Sequence, residues 1–114
     1  MGEEGRLSNL HLLCRTDELG DDAPLRVEAC GTAYAVYTRN GQVYVTADLC
    51  THGPGLMSDG FQEGDEIECP FHAGRFNFIT GQPTTPPCTE ALRTWTALLE
   101  DGNVRIDPNE RRDA

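Results

Sequence analysis

Ala33-Tyr34-Ala35-Val36-Tyr37-Thr38-Arg39-Asn40-Gly41-Gln42-Val43-Tyr44-Val45-Thr46-Ala47 is the stretch on which the fold turns. Two β-rich runs, Ala33 to Arg39 and Gln42 to Ala47, flank Asn40-Gly41, the dipeptide that most readily adopts the left-handed conformations of a tight hairpin turn. Upstream, Leu25, Val27 and Ala29 alternate with Arg26 and Glu28, the period of a half-buried strand. Leu10 to Cys14 is a further strand, and Thr16-Asp17-Glu18-Leu19-Gly20 reads as one capped helical turn that Gly20 ends. Downstream, Trp95, Ala97 and Leu99 alternate with Thr94, Thr96 and Leu98. Asp101-Gly102 then makes a turn, and Val104 and Ile106 return against Arg105 and Asp107. The pattern predicts an all-β, antiparallel domain with Val43, Val45, Trp95, Leu99, Val104 and Ile106 in its core.

The 114 residues amount to one domain, 1–114. Folding at this length buries roughly 65% of the unfolded chain's surface, so a modest core needs no staples. Nineteen acids against nine basic residues give a net charge of −10, and every basic residue is an Arg. A nucleic-acid partner is therefore excluded, because phosphate neutralisation needs a basic face. An anionic membrane surface would repel the chain, and no apolar run approaches the roughly 20 residues a spanning helix needs. The N-terminus, Met1-Gly2-Glu3-Glu4-Gly5-Arg6, has neither a basic leader nor an apolar stretch, so a soluble, cytoplasmic protein is expected. Five cysteines fit metal ligation with a few free thiols better than a disulfide framework.

Between the hairpins, from about Leu49 to Gly81, glycines gather (Gly53, Gly55, Gly60, Gly64, Gly74, Gly81) and alternation fails. A loop-rich segment this long needs something to organise it. It holds Cys50-Thr51-His52 and Cys69-Pro70-Phe71-His72, with sixteen residues between His52 and Cys69. Each loop offers one thiol and one imidazole. Zinc fingers usually pair like with like, whereas this arrangement lets each loop place its Cys on one metal and its His on a neighbour. Gly53, Gly55 and Gly74 would let backbone N–H groups approach such a centre, or else serve as ordinary turn glycines.

Cys-x-His followed by Cys-x-x-His resembles the Rieske iron–sulfur signature, in which two His replace two Cys on one iron of a [2Fe–2S] cluster. The resemblance implies a Rieske-type antiparallel β-sandwich with a small cluster-binding subdomain inserted at about 49–80. It implies that Cys50 and Cys69 bind the inner iron, while His52 and His72 bind the outer one. A ferric pair with two sulfides is dipositive, so two thiolates and two neutral imidazoles bring the oxidised centre to zero charge. An electron is then easier to add than with four thiolates. The high-potential members carry a disulfide and two hydroxyl donors where this chain has Gly55, Phe71, Gly74 and Phe76. Their absence implies a potential near the low end of the Rieske range, about −150 mV.

Glu68 to Asn77, together with the proline-rich Gly81-Gln82-Pro83-Thr84-Thr85-Pro86-Pro87-Cys88-Thr89, is most similar to the ferredoxin components of carbazole-type, aromatic-ring-hydroxylating dioxygenases. That implies an electron carrier, not an enzyme, between a flavin-containing NAD(P)H-dependent ferredoxin reductase and a terminal Rieske oxygenase. Two alternatives remain: a small subunit of a nitrite-reductase-type enzyme, or a zinc-stabilised interaction module, since two Cys and two His also satisfy tetrahedral zinc. Cys14 and Cys30 read as buried small hydrophobes, Cys88 as a packing residue of the proline loop, and His11 as an ordinary strand residue. Glu63, Asp65, Glu66 and Glu68 form either a solvated face or a negative docking surface, with Arg75 beside them as a salt-bridge partner.

Overall fold

A computed structural model describes residues 10–20, 23–29, 31–51, 55–71, 73–86, 89–107 and 111–112. Twelve strands follow in chain order: β1 His11–Arg15, β2 Leu25–Ala29, β3 Thr32–Arg39, β4 Gln42–Ala47, β5 Phe61–Glu63, β6 Glu66–Glu68, β7 Arg75–Asn77, β8 Pro83–Thr85, β9 Thr94–Trp95, β10 Leu98–Glu100, β11 Asn103–Ile106 and β12 Arg111–Arg112. They form a five-stranded sheet β12-β9-β4-β3-β2, a three-stranded sheet β1-β11-β10 and a four-stranded sheet β5-β6-β7-β8. All the pairings are antiparallel. The all-β expectation holds.

Asn40 and Gly41 take φ of 54° and 78°, as the primed turn of a two-residue hairpin requires. They bring Arg39 opposite Gln42 and hold β3 and β4 in register as far as Tyr34 and Ala47. Asp101 and Gly102, at φ 54° and 79°, make the equivalent turn between β10 and β11. The expected helical turn is a 3₁₀ turn, Thr16–Glu18. The Glu18 carboxylate closes it by accepting the Arg15 N–H at 2.8 Å, and the backbone is already extended at Leu19, so Gly20 does not end it.

Side chains of β3 alternate between two hydrophobic clusters. Tyr34 and Val36 pack with Leu13, Cys14, Val45, Trp95, Val104 and Ile106 between the five- and three-stranded sheets. Ala35 and Tyr37 face the other way, toward Cys50, Met57, Ile67, Cys69, Phe76, Phe78 and Leu92. Tyr37 stacks on Phe78 with centroids 4.5 Å apart, and its hydroxyl pairs with Thr46 Oγ1 at 2.8 Å. Gln62 Nε2 donates to the Thr38 carbonyl at 2.9 Å, tying β5 to the end of β3.

Two expectations fail for one reason. The alternation from Thr94 to Leu99 predicts a single strand, but the chain changes sheets within it. Trp95 pairs with Val45 in the five-stranded sheet, and after Thr96-Ala97 the chain enters β10 of the three-stranded sheet. Leu99 therefore lies on an edge strand and is 52% exposed. Val43 is half-buried at the margin of its cluster, while Val45, Trp95, Val104 and Ile106 are core, as expected. The glycine-rich segment is also a sheet, but its strands have three residues each, too few for alternation to register. Cys30 and Cys88 lie outside the described residues; Cys14 is buried and His11 lies in β1.

Trp95→Ala should destabilise the fold by about 3–5 kcal/mol, and Leu99→Ala by less than about 1 kcal/mol, in denaturant unfolding. Burial pushes the Cys14 thiol up to about 11 from 9.0, with Glu18 adding to the shift. A thiol whose folded value lies above its unfolded value lends stability below pH 9 and loses it as pH rises toward 11. Stability should accordingly fall across that window, and Cys14→Val should flatten the fall in pH-dependent unfolding curves.

Candidate metal centre

Two fingers project from the face of the five-stranded sheet that Ala35 and Tyr37 occupy. The first leaves β4 at Asp48. It turns back through paired Leu49 and Leu56 and ends in a 3₁₀ turn, Met57–Asp59. The second is the β6–β7 connection, where Ala73 takes a left-handed φ of 58°. The two close alike: the Cys50 N–H donates to the Gly55 carbonyl at 2.8 Å, and the Cys69 N–H to the Gly74 carbonyl at 2.7 Å. Each cysteine is thus bonded to a glycine five residues on. Gly55 and Gly74 serve as carbonyl acceptors closing these loops, a role their turn chemistry permits; Gly53 lies outside the described residues.

The thiols of Cys50 and Cys69 are buried together, beside the same aromatic cluster. Burial pushes the Cys69 thiol upward, the adjoining Cys50 thiol adds to this, and a hydrogen bond from the Phe71 backbone offsets part of it. The upward shift favours the protonated Cys69 thiol, so metal binding must drive that proton off. A Cβ at Gly55 would lie 2.6 Å from Cys69 Sγ and 3.1 Å from Phe71 Cδ2, so the absence of a side chain there makes room for the Cys69 sulfur. His52 and His72 lie outside the described residues. Among the described residues no third sulfur, imidazole or carboxylate joins the two cysteines in a metal-holding group.

Several positioning contacts escape the sequence pattern. Thr51 Oγ1 donates to the Glu90 carbonyl at 2.7 Å, fastening the first finger to the segment after the proline-rich stretch. A Cβ at Gly60 would lie 2.2 Å from the Glu68 carbonyl oxygen, so the end of this finger lies directly against β6. Asp48 is fully buried and receives the Arg26 guanidinium and the Ser58 N–H. On the outer face of the four-stranded sheet Arg75 bridges Glu63, Glu66 and Glu68 at 2.8, 3.3 and 3.0 Å. Arg39 pairs with Asp65 at 2.9 Å. The acidic run is thus partly neutralised in place. Leu49 and Phe71, neighbours of the two cysteines, are 58% and 48% exposed.

A β base carrying two glycine-closed fingers, each with a buried cysteine and a histidine two or three residues on, defines a domain built to present an iron–sulfur centre near its surface. The chain belongs to the Rieske [2Fe-2S] domain family, whose match covers residues 9–96. It is 40% identical over 103 residues to the ferredoxin component of the p-cumate 2,3-dioxygenase system of Pseudomonas putida, covering 89% of this chain and 87% of that one. Its fold matches the Sphingomonas yanoikuyae B1 ferredoxin with a TM-score of 0.83 and 42% identity, over 85% of this chain and 96% of that one. It also matches a structure described as a complex of reduced oxygenase and oxidized ferredoxin in carbazole 1,9a-dioxygenase, with a TM-score of 0.80 and 38% identity, over 85% of this chain and 91% of that one.

The donor chemistry fits the family's cluster: two buried, adjacent thiols against a glycine that leaves them room. Gly55→Ala should retain less than about a tenth of the native iron and acid-labile sulfide, because the Cys69 sulfur must move to admit the methyl group. Metal analysis alongside a far-UV circular dichroism spectrum checks this.

Proposed function

We propose that the chain is a ferredoxin that carries one electron on a Rieske [2Fe–2S] cluster, from a flavin-containing NAD(P)H-dependent reductase to a terminal aromatic-ring oxygenase. Cys50 and Cys69 hold the inner iron, His52 and His72 the outer one, in the segment 49–80. The observation that carries the reading is the pair of buried thiols at the roots of two fingers closed by the same Cys-to-Gly bond.

The cluster, when bound, supplies a one-electron couple. The protein's part is to hold it, keep water from its sulfur side and expose the other side. Met57, Ile67, Phe76 and Phe78 wall the cysteines off from solvent. Glycine at 74 and phenylalanine at 76 offer no hydroxyl to the sulfurs. The reduced, more negative state therefore gains no such hydrogen bond, which supports a potential toward about −150 mV. Leu49 and Phe71 lie exposed beside the cysteines, giving a partner an apolar rim of the small size that transient redox contacts use. The complex of oxygenase and ferredoxin in the carbazole system supports the terminal partner. No helix among the described residues is long and apolar enough to cross a membrane.

Anaerobically purified protein should be red-brown, bleach on taking up one electron per chain from dithionite, and give a paramagnetic resonance spectrum of mixed nitrogen and sulfur ligation. His72→Cys should lower the potential or lose the cluster. Colourless protein containing zinc, or a variant with the native potential, overturns the assignment.

A further inference from the structure

Asp48 directly follows β4, two residues before Cys50, and its side chain is fully buried. The carboxylate accepts from Arg26 Nη1, from the Ser58 N–H at 2.8 Å and from Ser58 Oγ at 3.1 Å. Its backbone is held as firmly: its N–H donates to the Ala33 carbonyl at 3.1 Å, and its carbonyl accepts the Met57 N–H at 2.6 Å. Arg26 reaches it from β2. In register Arg26 lies opposite Ala35, which lies opposite Thr46, so the guanidinium stands on the finger-side face of the sheet, across the smallest side chain of that row. One carboxylate therefore joins β2, β4 and both ends of the first finger.

Breaking a buried ion pair by removing one partner is strongly unfavourable, so Arg26 is the counter-charge that holds the Asp48 carboxylate in place at the root of the finger. Arg26 is only partly exposed, at 39%, and its second partner is Glu28 at 2.7 Å. We propose that Arg26 and Asp48 are positioning residues for the iron–sulfur centre: the pair fixes the first finger and, as balanced charges beside Cys50, tunes the reduction potential. The inference rests on the reading that Cys50 holds the cluster. It goes beyond that reading in assigning opposite electrostatic effects to two residues outside the ligand set.

Reduction adds negative charge to the centre. Removing the arginine leaves an unbalanced anion nearby, which opposes reduction; removing the carboxylate leaves an unbalanced cation, which favours it. The Asp48 effect should be the larger, because its charge is buried while that of Arg26 is partly screened by water.

The test compares native protein with Arg26→Gln, Asp48→Asn and the double variant, each purified anaerobically with its cluster and titrated potentiometrically. The expected result is a lower potential for R26Q, a higher one for D48N and a double variant near native. Shifts of the same sign in both single variants, or none in either, overturn the proposal. Should D48N fail to fold, R26Q alone still decides, since a shift that is absent or upward contradicts the sign. Amide hydrogen exchange at Met57 and Ser58 gives a readout independent of iron. It should run about tenfold faster in R26Q, below the figure for a fully buried pair because the arginine is partly hydrated. Unchanged exchange removes the positioning role. If the native chain holds no iron while exchange still accelerates, the ligand assignment and with it the potential-tuning role fall, and only the fixing of the finger remains.

Discussion

Strand β3 has no solvent face along its centre: Tyr34, Ala35, Val36 and Tyr37 are all buried, and successive side chains enter different clusters. Everything else is arranged around that strand. One cluster secures the base by packing the five-stranded sheet against the three-stranded one. The other is the floor on which the fingers stand, with Tyr37 stacked on Phe78 and the two cysteines at its margin. A strand buried on both sides tolerates no register slip, because a shift of one residue would exchange the two sets of side chains. The two-residue turn at Asn40-Gly41 therefore sets the position of the finger roots as well as the hairpin.

The fingers carry little regular structure, and their shape comes from closures and close approaches. Each cysteine amide is bonded to a glycine carbonyl; Gly55 leaves room for a sulfur, and Gly60 lies against the Glu68 carbonyl. Thr51 and Asp48 then tether the first finger at two separate points, one to the segment at Glu90 and one to the base sheet. A site held this way is preorganised: the cost of ordering the loops is met largely by backbone bonds and packing, before any metal arrives.

The parts of this architecture that declare themselves in sequence are those with local signals. Asn-Gly and Asp-Gly mark both hairpins, period-two alternation marks β2, and the Cys–His spacings mark the fingers. The parts that stay hidden depend on long-range partners. Nothing near Trp95 shows that the chain will leave one sheet for another two residues later, so Leu99 reads as core when it lies on an edge. Three-residue strands are too short to display a period, and β5 to β8 pass for loop. The contacts of Asp48 with Arg26 and Ser58 span 22 and 10 residues, and no pattern of residue types distinguishes that acid from the eighteen others.

Arg75 already holds three carboxylates on its one guanidinium. Four of its five N–H donors face these acids, so it has no free fork to offer an acidic visitor. What this side of the second finger presents outward is the unused lone pairs of Glu63, Glu66 and Glu68, fixed in direction by the shared clamp. With one guanidinium set among three carboxylates, the field outside this face is weaker than the acids alone would give, and each of them is held nearer one position than a solvated glutamate would be.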